Sequence, residues 1–406
     1  MHAPLRPPSL LDDLRSLPRP FWVLFAGIFL NRFGTFVWPF LTIYLTRRGH
    51  SLAEASVAVS GVGFGALLGN VLGGWLADHL GRRKTIVLGT FGTALSLMAL
   101  YSAESLPAII AATALFGMFS GIYHPAAGAL LADLIPDGQR LRAYAAVRLA
   151  ANAGFACGTA TGGVLVNYSA FWLFAGDALT TALYGAIALL WLPHGLRGQT
   201  AHAPLRAALK SFAGHRAFHA VWIATLCSAL IAMQIASTFS LHVTRAGVNA
   251  DVFGFHLAPE NIYGLTIAWN GVLIMLLELP LTAWTLRFNP RRVMALGFLL
   301  QGIGFTLNGV SHSLMLLWVM MTIFTLGEMI SAPTTSALVA ELAPEALRGR
   351  YMGALGLSWN AAGIAGPIVG FWLFALDPTA LWTACALLGI AAAWFILRVR
   401  TEVDEN

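Results

Sequence analysis

The sequence has very little charge for its length, because only 10% of its 406 residues are Asp, Glu, Lys or Arg. A soluble globular chain carries roughly 25% charged residues, and a soluble chain of this size could not cover its surface with so few. Intrinsic disorder is excluded as well, since 58% of the residues are hydrophobic. The composition therefore predicts a protein that is immersed in a lipid bilayer.

The sequence also has few cysteines and no motif for a cofactor. Cys157, Cys227 and Cys385 lie in separate apolar stretches, without the spacing of a disulfide framework or a metal site. No Gly-rich loop ending in Lys and Ser or Thr occurs, so ATP is not the expected energy source. No catalytic triad is present either. We therefore expect neither an enzyme nor a bound metal or cofactor.

Long apolar runs are abundant, and a membrane helix needs about 20 mostly apolar residues. Residues 1–20 are polar and Pro-rich and lack the apolar run and cleavage site of a signal peptide, so we expect the first run to remain in the mature protein. The sequence thus predicts an all-α integral membrane protein with twelve transmembrane helices. We place them at residues 21–46, 53–77, 84–104, 106–133, 142–168, 169–193, 218–244, 260–286, 291–311, 313–341, 350–375 and 379–399.

Lys and Arg fall almost entirely on one side of this predicted bundle. If both termini lie on the same side, nineteen of the 24 basic residues lie there, and only Arg47, Arg48 and Arg245 lie on the other. The positive-inside rule then predicts a multi-pass protein of a bacterial cytoplasmic membrane with both termini in the cytoplasm. Because the basic residues act as topology signals and lipid-headgroup contacts, we expect no nucleic-acid partner.

An internal repeat divides the chain into two pseudo-symmetric halves. At a constant offset of 208 residues, Pro125 matches Pro333, Asn152 matches Asn360, and further Pro, Arg and Gly pairs align without a gap. We therefore predict six-helix halves at 21–193 and 218–399, a cytoplasmic linker at 194–217, and cytoplasmic tails at 1–20 and 400–406. Two parallel halves are typical of transporters in which substrate binds between the halves and access alternates.

Residues 74–84, GWLADHLGRRK, carry a resemblance to a known family. The segment resembles the signature of the major facilitator superfamily between helices 2 and 3, with His79 where Arg is usual. The resemblance implies the major facilitator fold and a conformational gate on the cytoplasmic side. Gly74 would allow close helix approach, Gly81 a tight turn, and Asp78 would accept from a helix N-terminus or a nearby Arg. The gate residues are Gly74, Asp78, Gly81, Arg82 and Arg83.

Two further segments resemble one group within that superfamily, the drug/proton antiporters. Residues 154–163, GFACGTATGG, are similar to the helix-5 motif of that group, with Thr159 in place of the usual Pro. Close helix packing through small residues explains the same pattern. Residues 327–370 are similar to helices 10 and 11 of proton-coupled multidrug exporters, notably those of the lactococcal type. This resemblance implies an antiporter driven by the proton gradient.

Five ionisable residues lie inside predicted helices, where each costs at least about 2.5–3.5 kcal/mol to insert. They are Arg32, Arg148, Asp177, Glu278 and Glu328. Glu328 matches the helix-10 acid of the exporters, and we expect it to exchange protons and contact cationic substrate, unless it only makes a bundle hydrogen bond. Glu278 has a proton or substrate role, pairs with an inserted Arg, or simply packs within the bundle. Asp177 begins helix 6, towards the outer surface, and is a further transport candidate.

The two arginines leave the charge of the substrate open. Arg148 precedes Asn152 by one turn, so both share a face of helix 5. Arg148 either pairs with a carboxylate until protonation releases it, which couples protons to conformation, or makes a static ion pair. Arg32 follows Asn31 among aromatic residues and could hold an anionic substrate.

Polar and aromatic residues near these charges are candidates for the cavity wall, since aromatic walls suit bulky apolar ligands. Core packing or a structural hydrogen bond is the alternative for each. The candidates are Phe33, Phe36, Tyr123, His124, Trp269, Asn270, Trp359 and Asn360.

The sequence thus predicts a monomeric secondary transporter with small-molecule substrates. The first hypothesis is proton-coupled export of small amphipathic compounds, that is, multidrug efflux. The second is a transporter of one metabolite, such as a sugar, an organic acid or a siderophore, and the arginines motivate its anionic version. A membrane enzyme or a non-transporting receptor is a third class. Substrate, direction, and proton or sodium coupling stay open at this level.

Overall fold

The computed structural model describes residues 17–399, except residues 136, 195–210, 213, 253, 286, 308–310, 312 and 345–346. Most of the predicted tails and linker therefore lie outside the described residues. Within the described part, twelve helical spans follow one another, and a short antiparallel hairpin separates spans 7 and 8. The hairpin strands are Ala250–Val252 and Phe255–Leu257.

The spans agree closely with the predicted apolar runs. In the first half they are span 1 (Arg19–Phe33 and Val37–Arg47), span 2 (Leu52–His79), span 3 (Arg82–Ser102), span 4 (Leu106–Leu134), span 5 (Asp137–Tyr168) and span 6 (Ala170–Trp191). In the second they are span 7 (Arg216–Met233 and Thr238–Arg245), span 8 (Pro259–Thr285), span 9 (Pro290–Thr306), span 10 (Leu314–Leu342), span 11 (Arg348–Leu376) and span 12 (Pro378–Leu397).

Eleven of these spans are long and apolar enough to cross a membrane. Span 9 has 17 residues, about 26 Å at 1.5 Å per residue, and it packs between spans 10 and 12. The predicted count of twelve membrane helices is therefore confirmed, with span 9 the shortest. Spans 5 and 6 are separated by Ser169 alone, as the sequence indicated.

Polar residues begin several spans by binding backbone N–H groups that the first helical turn leaves free. Ser51 and Glu54 form a reciprocal capping box at the start of span 2. Asn289 accepts from the backbone N–H of Arg291, and Asp377 from that of Thr379. Pro follows both residues at the first helical position, where its missing N–H costs nothing.

Spans 1 and 7 are each broken near the middle, which the sequence analysis did not predict. Span 1 stops at Phe33 and resumes at Val37, and span 7 stops at Met233 and resumes at Thr238. In span 1, Asp177 accepts hydrogen bonds from the backbone N–H groups of Phe36 (3.2 Å) and Val37 (3.0 Å). A break inside a membrane is tolerated only where protein groups bind the freed backbone, so Asp177 stabilises the break in span 1.

The two halves share one core on one face and have separate cores on the other. We call the face that carries Arg82 and Arg291 the basic face, and the other the opposite face. Near the opposite face, a single buried cluster joins Phe40 of the first half to Phe239 and Tyr263 of the second. Near the basic face, each half has its own buried cluster. The structure is therefore closed at the opposite face and open between the halves at the basic face.

Polar contacts seal the opposite face between the halves. Arg47 at the end of span 1 forms an ion pair with Glu260 at the start of span 8 (Nη2–Oε1 2.5 Å) and donates to the Val166 carbonyl (2.8 Å). Tyr263 binds the Pro39 carbonyl oxygen across the interface (2.8 Å). A side chain at Gly163 would meet the Glu260 carbonyl oxygen at 2.8 Å, so small residues are required where spans 5 and 8 meet.

Removing the Glu260 charge should weaken this seal. We expect Glu260→Gln to label a Thr42→Cys side chain, otherwise fully buried behind the seal, about fivefold faster with a membrane-impermeant thiol reagent. A partly exposed ion pair contributes about 1 kcal/mol, which sets that factor. The matched control is Glu54→Gln, a half-exposed acid on the same face whose contacts stay with the neighbouring Ser51 and His50. Equal labelling rates in both variants would show that the pair does not hold the face closed.

Candidate functional site

A cluster of three charged side chains lies between the halves. Arg148 of span 5 forms an ion pair with Glu278 of span 8, and Glu328 of span 10 lies within electrostatic range of both. Glu278 is buried, with 8% of its surface exposed. With both carboxylates ionised, the cluster carries one net negative charge. The sequence analysis placed Arg148 opposite an unspecified carboxylate, and in the structure that carboxylate is Glu278.

The Arg148–Glu278 pair lines a cavity of about 290 Å³ between spans 5, 8 and 10. Asn152 lies on the same wall as Arg148, one turn further along span 5, on the helix face that the sequence spacing predicted. Leu149, Met275 and Pro333 supply apolar surface. The cavity thus combines a charged pair with an apolar wall, which suits an amphipathic ligand.

Glu328 lies behind this pair, in the wall of a smaller cavity within the second half. The cavity measures about 120 Å³ and also includes Trp359. Asn270 donates to Glu328 (3.2 Å) and to Thr325 (2.9 Å), which fixes the carboxylate towards span 8. Buried amide and hydroxyl groups that are hydrogen-bonded to one another hold a polar wall rigidly.

A polar chain across the second half supports that wall. Ser228 of span 7 donates to Gln301 of span 9 (2.6 Å), and Gln301 donates to Ser331 of span 10 (2.8 Å). All three residues line the same cavity as Glu328. The sequence analysis missed this chain, although Gln301 is a lone amide inside an apolar run and is a signal of the same kind as the in-span charges.

The first half contains a corresponding cavity of about 250 Å³. Asn31, Arg32, Tyr123, His124 and Asp177 line it, as do Trp38 and Phe155. The guanidinium of Arg32 has no ion pair or hydrogen bond with any residue of the described chain. The cavity therefore presents a guanidinium that is bonded to none of the described residues to whatever enters it.

The two cavities are built from repeat-related positions. Residues 208 apart line them in pairs: Thr93 and Gln301, Ser120 and Glu328, Tyr123 and Ser331. The repeat that the sequence showed in spans 4, 5, 10 and 11 thus places equivalent residues in equivalent cavities. Their chemistry differs, because the position of Glu328 is occupied in the first half by the neutral Ser120.

Asp177 lies two turns inside span 6, and 4% of its surface is exposed. It lies in the half of span 6 nearer the opposite face, and its carboxylate is turned inward to the break in span 1. Thr181 also donates to Asp177 (3.5 Å), and Asn31 donates to Thr181 (3.3 Å). Asp177 and Asn31 are therefore joined through one threonine beside the break.

We expect Asp177→Ala to destabilise the protein more than Asp177→Asn. The anion at the start of the helix Val37–Arg47 satisfies two buried N–H groups, and leaving such groups free costs about 1–3 kcal/mol each. The Asn variant keeps one acceptor oxygen. Thermal unfolding of the purified protein in detergent measures the difference, with Asp377→Ala as control, since Asp377 caps span 12 at an exposed end. Equal losses for the two Asp177 variants would contradict the capping role.

Several other residues that were predicted to line the substrate cavity instead make packing contacts or hydrogen bonds. Phe33 and Phe36 contact each other edge-on, with ring centroids 5.5 Å apart, and Phe36 is buried. Trp269 stacks on Trp318 and donates to Thr322 (2.9 Å), which turns it into the second half. Asn360 accepts from Asn70 across the halves (3.4 Å), where spans 2 and 11 meet.

The predicted gate residues make their contacts within the first half. Gly81 has a φ of 90°, which a turn between spans 2 and 3 requires. Arg82 binds Asp78 (3.2 Å) and Asp133 of span 4 (3.4 Å), and Arg83 donates to the Leu192 carbonyl at the end of span 6 (3.3 Å). These contacts brace the basic face of one half while the halves stand apart.

The expectation for Gly74 was wrong. A side chain at Gly74 would meet open space, so this residue permits no close helix contact. The neighbouring Gly73 takes that place, because a side chain there would meet the Ile122 carbonyl oxygen at 2.4 Å. One residue along a helix turns a side chain by about 100°, which accounts for the difference.

Residues that seal the opposite face were also missed. Arg47 was counted only as a topology signal and Glu260 only as the start of a span, yet they form the ion pair described above. Gln234 bridges spans 7 and 11 at the second break by donating to the Gly366 carbonyl (3.2 Å). No group of three or more His, Cys, Asp or Glu suited to a metal ion occurs among the described residues.

Comparison with known proteins agrees with this architecture. A model of the Major Facilitator Superfamily matches residues 24–260 and 250–406, which together cover most of the chain. An uncharacterized MFS-type transporter of Bacillus subtilis, YttB, is 27% identical over 87% of this chain and 88% of its own length. A Na⁺, Li⁺, K⁺/H⁺ antiporter of Planococcus maritimus is 25% identical, covering 85% and 87% of the two chains.

A multidrug resistance protein, MdtH of Cronobacter sakazakii, is 26% identical over 94% of this chain and 90% of its own length. Among solved structures, a POT family transporter in complex with 5-aminolevulinic acid superimposes with a TM-score of 0.78 at 17% identity, covering 94% and 95% of the two chains. At that identity the likeness shows the fold alone. The chain belongs to the major facilitator superfamily and is a multi-pass membrane transporter.

Proposed function

We propose that the chain exports small amphipathic compounds in exchange for protons, by alternating access of the two halves. The observation that carries the proposal is the charge cluster of Arg148, Glu278 and Glu328 between the halves. The protein would work as a monomer in a bacterial cytoplasmic membrane, with both termini and the basic face in the cytoplasm. The structure then corresponds to the state that receives substrate from the cytoplasm.

The net charge of the cluster supplies a physical reason for exchange. A charge enclosed away from water in a membrane is costly, so a cluster with one net negative charge resists closure from both sides. A proton on Glu328 neutralises it, and so does the cationic group of a substrate. Either species therefore allows the halves to rock, whereas the empty, unprotonated site does not. Alternate transport of a proton and a cation is the result.

The direction of transport follows from the proton gradient. Outside the cell, where protons are more concentrated, they displace the cation from the acids and the substrate leaves. The protonated transporter returns to the cytoplasm, where it loses its proton and binds the next substrate. A ligand can shift such an equilibrium only through its different affinity for the two states. The relatives named an antiporter and a multidrug resistance protein support this proposal, since both kinds of transport fit the same cycle.

A transporter of a single metabolite is the second candidate function. The free guanidinium of Arg32 favours the version that carries an organic anion, because a cation exporter has no evident use for an unpaired arginine in its wall. The two candidates differ in breadth: a multidrug exporter accepts unrelated cationic dyes, while a metabolite transporter accepts one compound and its close analogues.

Flux into proteoliposomes tests the proposal. Vesicles with an acidic lumen and the basic face outward should accumulate cationic dyes such as ethidium, and collapse of the pH gradient with nigericin should stop accumulation. Protein-free vesicles correct for passive uptake. Accumulation that nigericin leaves unchanged would contradict proton coupling. Accumulation of no dye in a panel of unrelated cations would contradict multidrug export and leave the metabolite transporter.

A further inference from the structure

We infer that the first-half cavity is a subsite for an anionic group of the substrate, with Arg32 as its cation. The transported compounds would then carry a carboxylate or a similar acidic group beside the cationic group that faces Glu328. This inference rests on the proposed function and narrows its substrate class. It follows from the charge and geometry of a cavity that the proton cycle does not use.

Arg32 is partly buried and lines a cavity in which, among the described residues, Asp177 is the one acid. The acid in the same wall, Asp177, is occupied by the backbone N–H groups of Phe36 and Val37. Thr181 also donates to that carboxylate. Asp177 is therefore committed to the break in span 1, and the described residues leave the guanidinium of Arg32 free for a ligand.

The position of Arg32 at the end of the helix Arg19–Phe33 does not by itself explain it. A cation there interacts favourably with the partial negative charge of the helix C-terminus. That interaction is available to an exposed side chain as well, and it gives the five N–H donors of the guanidinium no protein acceptor among the described residues. A carboxylate accepts two of these donors in parallel, which gives Arg its preference for such groups.

The rest of the cavity suits part of an amphipathic molecule. Asn31, Ser120 and Tyr123 supply polar groups beside Arg32, while Trp38 and Phe155 supply an apolar wall. At about 250 Å³ it is smaller than the roughly 300–1,000 Å³ of a pocket for a whole drug-sized ligand. The cavity therefore holds one end of the substrate, and the remainder extends towards the interface between the halves.

The two ends of the site are complementary to a zwitterion. The interface cluster carries one net negative charge, and the first-half cavity contains the guanidinium of Arg32 together with one acid, Asp177, that binds backbone N–H groups. A purely cationic compound neutralises the first and leaves Arg32 unpaired, whereas a compound with both groups satisfies each locally. We therefore expect an added carboxylate to strengthen binding, although it removes the overall charge of the compound.

A matched pair of dyes tests this subsite. A rhodamine with a free carboxylate and its methyl ester differ in one acidic group and share the same cationic ring system. We expect fluorescence polarisation to show that the purified wild-type protein binds the acid about tenfold more tightly than the ester, the size of one charged hydrogen-bonded contact. Arg32→Gln should weaken the acid about tenfold and leave the ester within about twofold. Arg32→Lys should restore part of the preference.

Ester binding also reports that each variant is folded. If the wild type binds both dyes equally, or if Arg32→Gln weakens both by the same factor, the subsite does not exist and Arg32 has a structural role. Either result leaves the proposed function intact as long as nigericin-sensitive ethidium flux persists. Conversely, loss of proton coupling in the flux assay would overturn the proposed function, while the dye preference would still decide whether Arg32 binds an anion.

Discussion

Replacing Glu328 by Gln is expected to abolish accumulation of a cationic dye against its gradient. With Gln at this position, the cluster consists of the neutral Arg148–Glu278 pair. It then needs neither a proton nor a cation before it is enclosed, so the empty transporter can rock freely. A bound cation would leave one net positive charge in the enclosed cluster, so the variant no longer exchanges the dye for a proton. We expect uphill accumulation to fall at least about tenfold, a loss of about 1.4 kcal/mol or more in coupling.

Dye flux into proteoliposomes, measured with and without a pH gradient, tests this expected loss of uphill accumulation. The control is Glu104→Gln, an exposed acid in the turn between spans 3 and 4, far from the cluster. It should transport as the wild type does. If Glu328→Gln accumulates dye as well as the wild type and stops when nigericin is added, Glu328 does not carry the proton.

Exchanging the charges of Arg148 and Glu278 is the second change with a large expected effect. Arg148→Glu alone leaves three carboxylates at the interface, and Glu278→Arg alone leaves two guanidinium groups beside a single acid. Glu278 is buried and Arg148 is exposed. Removing one partner leaves the other charge uncompensated, so we expect each single variant to lose at least about tenfold in transport rate. The double exchange restores the pair and should recover part of that loss.

A double-mutant cycle on transport rate and on thermal stability measures the coupling between the two residues. We expect a coupling of about 1–2 kcal/mol, within the range for directly interacting side chains. Arg292→Gln serves as a control, because Arg292 is exposed on the basic face at the start of span 9. Additive effects of the two single changes would show that the pair does not act as a unit across the interface.

The fold was accessible from the sequence because membrane helices are set by local composition. Each span needs about 20 apolar residues in one run, and such runs placed all twelve spans, including the separation of spans 5 and 6 by Ser169. The breaks in spans 1 and 7 were not predicted, because the residues that stabilise a break can lie far from it in the sequence. Asp177, which stabilises the first break, is more than 140 residues away from it in the sequence. No local sequence pattern predicts such a contact.

The candidate site was accessible to a lesser degree. A charge inside an apolar run is a strong signal, and that rule identified Arg32, Arg148, Asp177, Glu278 and Glu328. Their partners depend on how the helices pack, so the pairing of Arg148 with Glu278 became visible only in the structure. Neutral polar residues such as Gln301 and Gln234 carry a weaker signal, since an amide inside a helix bundle is less costly than a charge.

The ion pair that seals the opposite face was not predicted from the sequence for another reason. Arg47 and Glu260 lie at span ends, where charged residues are common and the rule for in-span charges does not apply. Their importance comes from where the halves meet in this conformation. One sequence encodes every conformation of the transport cycle. It does not indicate which contacts form together in the same conformation.

The most direct test of alternating access is a paired distance measurement between the halves. Spin labels at Lys84 and Arg292 report the basic face, and labels at Glu104 and Asp377 report the opposite face; all four residues are exposed. Cys157, Cys227 and Cys385 are first replaced by Ser or Ala. If access alternates, adding a transported dye shortens the distance across the basic face and lengthens the distance across the opposite face in the same sample. Distances that change in the same direction, or that stay fixed while the labelled protein transports dye, would contradict it.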